Sequence, residues 1–453
     1  MRITFLRPHM MRDRSGDAME PLAFAVLAGL TPLDVELDFF DERLEDLPLD
    51  HVTDLVAITL TTYTARRSYQ VASHFRKRGI QVVVGGYHPT FLPEEALNYA
   101  DAVVVGDAEE VWTQVVEDAR RHRLQRIYKS EKQPALKCLR FDRSIFAGKH
   151  YKPLVPVQYG RGCRFACDFC SIRSFYGSHT RQRPLNEVVA EIESLDARYI
   201  LFIDDNLFSE RQKALELFAA ITPLKIKWVC QISIDVAYDD VLLKAMARSG
   251  CIAALIGFES LSADNLHTMK KSWAHKKGSY ADAIRKFQEH GILLWGSFVF
   301  GYDQDTLDTF DRTAEFAIAS KMTLVNFTAI TPMPGTTLYR RFQKDGRLLF
   351  ARWWLDPAYQ YGQAVFRPKN MTPEQLTEGC VRARSLFYRY SSIFKRSLDW
   401  QCNSSSPDRI FFFWATNLLY KSELSRKMGK ILGSSEPLYP AVESFPVLDQ
   451  VTK

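Results

Sequence analysis

Apolar residues fall into two registers along most of this chain. Short apolar runs cover Ile3 to Phe5, Leu55 to Leu60, Ile80 to Val84 and Ala102 to Val105, and Val35-Glu36-Leu37-Asp38-Phe39 alternates with period two. Between the runs lie helical stretches. Ala65 to Arg78 stops at Gly79, a helix-ending residue, and Glu109 to Arg121 is amphipathic. Buried strands alternating with helices predict a parallel, doubly wound sheet.

A mixed connector, Lys129 to Pro156, carries Pro134, Pro153 and Pro156. Six more strand-like runs follow: Val155–Tyr159, Tyr199–Ile203, Ile226–Ile234, Ile252–Phe258, Ile292–Phe300 and Met322–Ile330. Helical stretches separate them at Leu185–Leu195, Glu210–Ala220, Asp240–Arg248, Tyr280–Glu289 and Thr306–Ala319. Leu185, Val188, Val189, Ile192 and Leu195 keep the helical spacing. Six β/α units predict a partial version of the eight-unit barrel, with its chemistry at the carboxyl ends of the strands. After Tyr339 the pattern loosens. An aromatic segment with Trp353, Trp354, Tyr359 and Tyr361 is a candidate lid, and Thr372 caps a helix reaching about Tyr390. The expected division is 1–140, 141–345 and a mainly helical 346–453.

Composition narrows the class. A chain of 453 residues, 46% apolar, can build two or three cores. The formal charge of +6 is spread without long basic runs and gives no reason to expect nucleic acid. Eight cysteines in this length are no disulfide framework. The amino terminus reads as a strand and not as a signal peptide, and no apolar run reaches membrane-spanning length. A reducing cytoplasm is the expected location.

Three of the cysteines change the picture. Gly160-Arg161-Gly162-Cys163-Arg164-Phe165-Ala166-Cys167-Asp168-Phe169-Cys170 places them at C-x3-C-x2-C spacing. Such a loop could hold zinc with a distant fourth ligand, or could be thiols that merely lie close together. Zinc sites favour paired C-x2-C units, and there is no second pair. Three thiolates suit three irons of a [4Fe–4S] cluster, with the fourth iron left open. Polar residues also collect at the exits of the later strands: Asp204-Asp205-Asn206, Gln231 with Ser233 and Asp235, Gly257-Phe258-Glu259-Ser260, and Gly301-Tyr302-Asp303. Asp240 and Asp305 read as helix caps.

Spacing and setting resemble the radical S-adenosylmethionine (SAM) family over about residues 155–340. The resemblance implies that Cys163, Cys167 and Cys170 hold the cluster and that SAM chelates the open iron. One electron then cleaves SAM to a 5′-deoxyadenosyl radical. Phe169 matches the aromatic beside adenine. Asp204 and Asp205 match an acidic segment facing the methionyl ammonium, Gln231 and Ser233 match polar positions at the ribose or carboxylate, and Glu259 matches an acidic position near both.

Most of residues 1–125 resembles the cobalamin-binding domain that precedes many radical SAM domains. The matching pieces are Asp41-Glu42-Arg43, Thr61-Thr62, Gly85-Gly86-Tyr87-His88-Pro89 and Gly106-Asp107-Ala108-Glu109. The resemblance implies cofactor contacts at Thr61, Thr62, Gly85, Gly86, His88, Gly106 and Glu109. The D-x-H-x-x-G motif that supplies histidine to cobalt elsewhere is absent, so His88 reads as a loop or tail contact. A Rossmann-like domain without a cofactor is the competing reading.

Together these resemblances imply a cobalamin-dependent radical SAM enzyme that methylates an unactivated carbon of a small molecule or lipid. Its electrons would come from an external flavodoxin- or ferredoxin-type reductant. The alternatives are a radical SAM cyclase, oxidase or rearrangement enzyme, and a non-catalytic Fe–S electron carrier. Ile410-Phe411-Phe412-Phe413-Trp414-Ala415, with Leu418, Leu419 and Tyr420, precedes Lys421, Arg426, Lys427 and Lys430. This stretch fits packing against the open side of the barrel, and also a membrane interface.

Overall fold

The computed structural model describes residues 1–11, 14–275 and 277–439. Strands β1 (Arg2–Arg7), β2 (Glu36–Asp41), β3 (Leu55–Thr59), β4 (Gln81–Gly85), β5 (Ala102–Val105) and β6 (Ile127–Lys129) form one sheet in the order β2-β1-β3-β4-β5-β6. Every pairing in it is parallel. Its two faces feed different cores. Ile3, Phe5 and Ala57 pack with Phe24 and Trp112, whereas Leu6, Val56 and Ile58 join a core that runs on into the second half of the chain. This is the period-two alternation of a strand buried on both sides.

β7 (Val155–Val157) opens the second half. β8 (Gly160–Arg161) and β9 (Arg181–Gln182) form a small antiparallel ribbon around the cysteine loop. β10 (Tyr199–Phe202), β11 (Lys227–Ile232), β12 (Cys251–Glu259), β13 (Leu293–Phe300) and β14 (Leu324–Ala329) complete a second parallel sheet, ordered β14-β13-β12-β11-β10-β7. It is a six-stranded partial barrel, open between β7 and β14.

The tail seals the free edge of β14. Helix Pro373–Tyr388 lies beside it. The Tyr388 hydroxyl accepts from Val325 N at 3.1 Å and donates to Val325 O at 2.9 Å, and Arg384 Nε donates to Phe327 O at 2.8 Å. Side chains thus take up backbone groups that a seventh strand would have paired. The helix starts as expected, with Thr372 and Gln375 capping reciprocally.

Some elements differ from expectation. β6 lies partly in the expected connector. Helix Leu22–Leu30 (LAFAVLAGL) was not foreseen: it is apolar all round and has no side-chain cap, so neither periodicity nor a start signal marks it. Tyr87–Phe91 is a short helix, not a loop. The cap of helix Asp240–Arg248 is Asp239, which accepts from Leu242 N at 3.0 Å; Asp240 is the first helical residue. Asp305 caps no helix. It accepts from Gly301 N, Tyr302 N and Asn265 Nδ2, tying the exit of β13 to the short helix Ala263–Thr268. Trp353 Nε1 donates to the Pro332 carbonyl, just past the carboxyl end of β14, at 3.4 Å. Trp353 and Trp354 are both buried against the first half of the chain, Trp353 near Tyr63 and Trp354 near His88.

Candidate functional site

Backbone hydrogen bonds to two carboxylates fix the cysteine loop. Asp204, at the exit of β10, accepts from Tyr159 N at 3.0 Å and from Gly160 N. Its neighbour Asp205 accepts from Gly162 N at 2.7 Å. Gly162 has φ of +94°, and a Cβ there would stand 2.2 Å from the His179 carbonyl oxygen, so no other residue fits. Burial pushes the Asp204 carboxyl up to about 7 and that of Asp205 up to about 6, against the pull of these N–H donors. Asp204 is buried, and each of its oxygens accepts one backbone N–H of the loop.

The three thiols lie within one another's fields. Burial pushes Cys167 up to about 12; the Lys271 ammonium opposes this, and the Cys170 and Cys163 thiols add to it. Burial also raises Cys170, opposed by backbone N–H groups of Arg173 and Ile172 at the start of helix Ser171–Tyr176. Asn206 Nδ2 donates to Cys163 Sγ at 3.7 Å. Among the described residues no three His, Cys, Asp or Glu side chains are gathered closely enough to hold one metal ion. A [4Fe–4S] cube asks for something else, one thiolate at each of three corners. Three partly buried thiols, with an amide, a helix start and an ammonium around them, fit that group.

Around the thiols the strand exits supply a polar rim. Glu259 ends β12 with φ of +63°, a costly conformation for a residue with a side chain. Its carboxylate is 2.8 Å from Lys271 Nζ, which also donates to the Gly257 carbonyl at 2.8 Å. Asn206 Nδ2 reaches Ser233 Oγ at 3.3 Å, and Gln231 Nε2 donates to Asp205 O at 3.3 Å. Asp205, Asn206, Gln231, Ser233 and Glu259 thus gather on the thiol side of the barrel. Phe169 is half-buried against the barrel core. Sequence reasoning gave Lys271 no role, because it lies beyond β12 outside any motif; Asn206 was visible only as the neighbour of two aspartates.

The first sheet ends in a cavity of about 350 Å³. Gly85, Gly86, Gly106 and Glu109 line it, with Ala57, Ile58, Tyr87 and Asp107. Gln158, Arg161, Tyr176 and Asp205, from the second half, close the same cavity. Gly86 has φ of +107°, and a Cβ on it would come within 2.6 Å of the Leu60 carbonyl oxygen. The space beside Gly106 is open. The lining, an apolar floor with a bare glycine rim at the carboxyl ends of a doubly wound sheet, suits cobalamin, of which a cavity of about 350 Å³ would take only a part.

Three expected contacts lie elsewhere. His88 is fully buried, with Nε2 2.9 Å from Glu95 Oε1 and Nδ1 3.3 Å from Thr62 Oγ1. Trp354 Nε1 donates to the same Glu95 at 2.9 Å. His88 and Thr62 thus hold the tail and do not face the cavity. Thr61 pairs with Thr64 in a local cap. Glu109, though at the cavity, is 2.6 Å from Arg161. Asp107 is 3.0 Å from Arg161 and 2.7 Å from Arg181. These pairs bolt the loop after β5 to the ribbon that frames the cysteines.

Comparison with known proteins agrees with both halves. Residues 157–317 match the Radical SAM superfamily and residues 11–116 the B12 binding domain. The bacteriochlorophyllide d C-12(1)-methyltransferase of Chlorobaculum tepidum is 30% identical over 400 residues, covering 85% of this chain and 86% of that protein. The anaerobic magnesium-protoporphyrin IX monomethyl ester cyclase of Cereibacter sphaeroides is 26% identical, over 78% of this chain and 62% of that one. The radical SAM methyltransferase TsrM of Kitasatospora setae, solved with cobalamin and a [4Fe–4S] cluster, shares the fold at a TM-score of 0.61 and 16% identity, over 83% of this chain and 84% of that one.

The partial barrel is that of a radical SAM enzyme. The chain belongs to the branch of that superfamily whose members carry a B12 binding domain ahead of the barrel, and its cofactors are a [4Fe–4S] cluster, SAM and cobalamin.

Proposed function

We propose that the protein is a cobalamin-dependent radical SAM C-methyltransferase acting on an unactivated carbon of a small molecule. Cys163, Cys167 and Cys170 hold the cluster. Asp205, Gln231, Ser233 and Glu259 bind SAM, and Gly85, Gly86 and Gly106 seat cobalamin. The units involved are 1–140, 141–345 and the tail 346–453. When bound, these groups supply a carbon-centred radical chemistry and a transferable methyl group.

The observation that carries this reading is the shared wall. Arg161 and Asp205 stand at the cysteine loop and also line the cavity of the first sheet. One pocket serving both halves is what delivery of a methyl group to a carbon activated next door requires. Within it, Asp205 is a charge-assisted acceptor suited to an ammonium. Glu259 and Lys271 place an ion pair at the thiols. Arg161 neutralises Asp107 and Glu109 and keeps water from widening the seam.

The cyclase relative supports a second reading, ring closure without methyl transfer. Both need an external one-electron reductant. Cluster-reconstituted protein, given SAM, a low-potential reductant and a panel of candidate substrates without oxygen, should release 5′-deoxyadenosine and S-adenosylhomocysteine together. Deoxyadenosine alone favours the second reading. Neither product, with cluster and cobalamin bound, overturns both.

A further inference from the structure

The tail leaves an apolar face uncovered. Helix Tyr390–Ser397 turns Ile393 and Arg396 inward and Tyr390 and Phe394 outward, Phe394 being 59% exposed. Helix Pro407–Lys427 buries Phe413 and Asn417 one turn apart and exposes Phe411, Phe412, Leu418 and Leu419 on other faces. Trp400, between the helices, is 71% exposed, and Phe411 75%. The two helices are neighbours: Arg396 Nη2 donates to Asn417 Oδ1 at 2.9 Å, and the Lys421 ammonium lies 3.8 Å from the centre of the Tyr390 ring. Single exposed apolar residues are ordinary, but a run of aromatics and leucines on adjoining helices marks an interaction surface.

Charge says what covers it. Residues 389–430 carry eight basic side chains against three acidic ones; Arg396 is fully buried and Arg409 bonds the Gly291 carbonyl, so the charge beside the apolar residues is that of Arg389 and Lys395, with Lys421 over the Tyr390 ring. Arg389 and Lys395 are exposed beside Tyr390 and Phe394. Among the described residues no helix is long and apolar enough to cross a membrane. Apolar residues flanked by tryptophan, tyrosine and basic groups match a bilayer boundary, where rings sit at headgroup depth and cations meet phosphates.

We propose that this face is the footprint by which the protein rests on an anionic lipid surface. Phe394, Trp400 and Phe411 enter the boundary between headgroups and acyl chains, while Lys395 and Lys421 meet the phosphates. The site lies away from the cysteine loop. Arg409 donates to the Gly291 carbonyl and Arg396 to those of Met322 and Thr323, all at the amino ends of β13 and β14. A protein resting on this face keeps its cavity clear of the bilayer. The inference does not depend on the reaction catalysed.

Full-length protein is sedimented with sucrose-loaded vesicles, either pure phosphatidylcholine or with about one-third phosphatidylglycerol. It should pellet with the anionic vesicles, and less so in high salt. The triple variant Phe394→Ser, Trp400→Ser, Phe411→Ser should lower the partition coefficient about a hundredfold. Lys395→Gln with Lys421→Gln should lower it about tenfold on anionic vesicles only. Equal pelleting of wild type and triple variant overturns the proposal, as does failure of the wild type to bind either lipid. A dimer abolished by the triple variant, with no vesicle binding, overturns it in favour of self-association.

Discussion

At the scale of single residues, the thiols and the carboxylates behave differently. Each thiol fills a separate corner, so Cys163→Ala, Cys167→Ala or Cys170→Ala should each reduce deoxyadenosine release to background, read beside the loss of cluster absorbance near 400 nm. Glu259 and Lys271 are both about nine-tenths buried and depend on each other. Glu259→Gln strands a buried ammonium and should cost about 3–5 kcal/mol in unfolding free energy, with SAM turnover falling as well. Asp204 and Asp305 carry a sign that can be tested. Burial raises them to about 7 and about 6, above the unfolded value of 3.8. Between those limits the native chain holds protons that the unfolded chain has released, so these groups make stability fall as pH rises from about 4 to 7. In cluster-free protein, Asp305→Asn should flatten part of that slope, measured as urea midpoints across the window. The cysteines were legible because their chemistry confines them to one loop. His88 was not, because its burial needs two partners: Glu95 lies only seven residues on, but Trp354, which covers that pair, comes from a segment more than 250 residues further along.

At the scale of elements, periodicity was enough wherever an element packs on one face or lies wholly inside a parallel sheet. All six barrel strands and the five helices between them stand where the apolar pattern places them, shifted by a few residues at most. It failed for Leu22–Leu30, where every face is apolar, and for β6, a three-residue edge strand with little to bury. Nor did it show how the barrel edge is closed, because a tyrosine in a helix gives no hint that its hydroxyl serves a strand. Tyr388→Phe removes both bonds to Val325 and should cost about 1–3 kcal/mol, visible as a lower melting temperature and faster amide exchange along β14.

At the scale of the molecule, the two halves meet through charge at one end and aromatics at the other. Arg161 spans Asp107 and Glu109 in a seam where all three side chains are about one-tenth exposed or less. Arg161→Ala leaves the buried Glu109 without its cation and Asp107 with Arg181 alone, and should cost about 3 kcal/mol or more. Cobalamin retained after desalting should fall with it. Arg161→Lys should restore only part, since an ammonium lacks the fork that meets two carboxylates. The sequence showed each half through its own pattern, but not this seam, which arises only when two loops 54 residues apart are folded together.

The tail also returns to where the chain began. Trp353 packs near Tyr63 and Trp354 near His88, Arg66 donates to the Leu355 carbonyl at 2.6 Å, and Gln70 holds the carbonyls of Ser434 and Glu436. The stretch from Glu131 to Arg140, largely exposed, is thus not the sole tether between the halves. A protease that nicks it would yield two bands on a denaturing gel and still one particle on a sizing column.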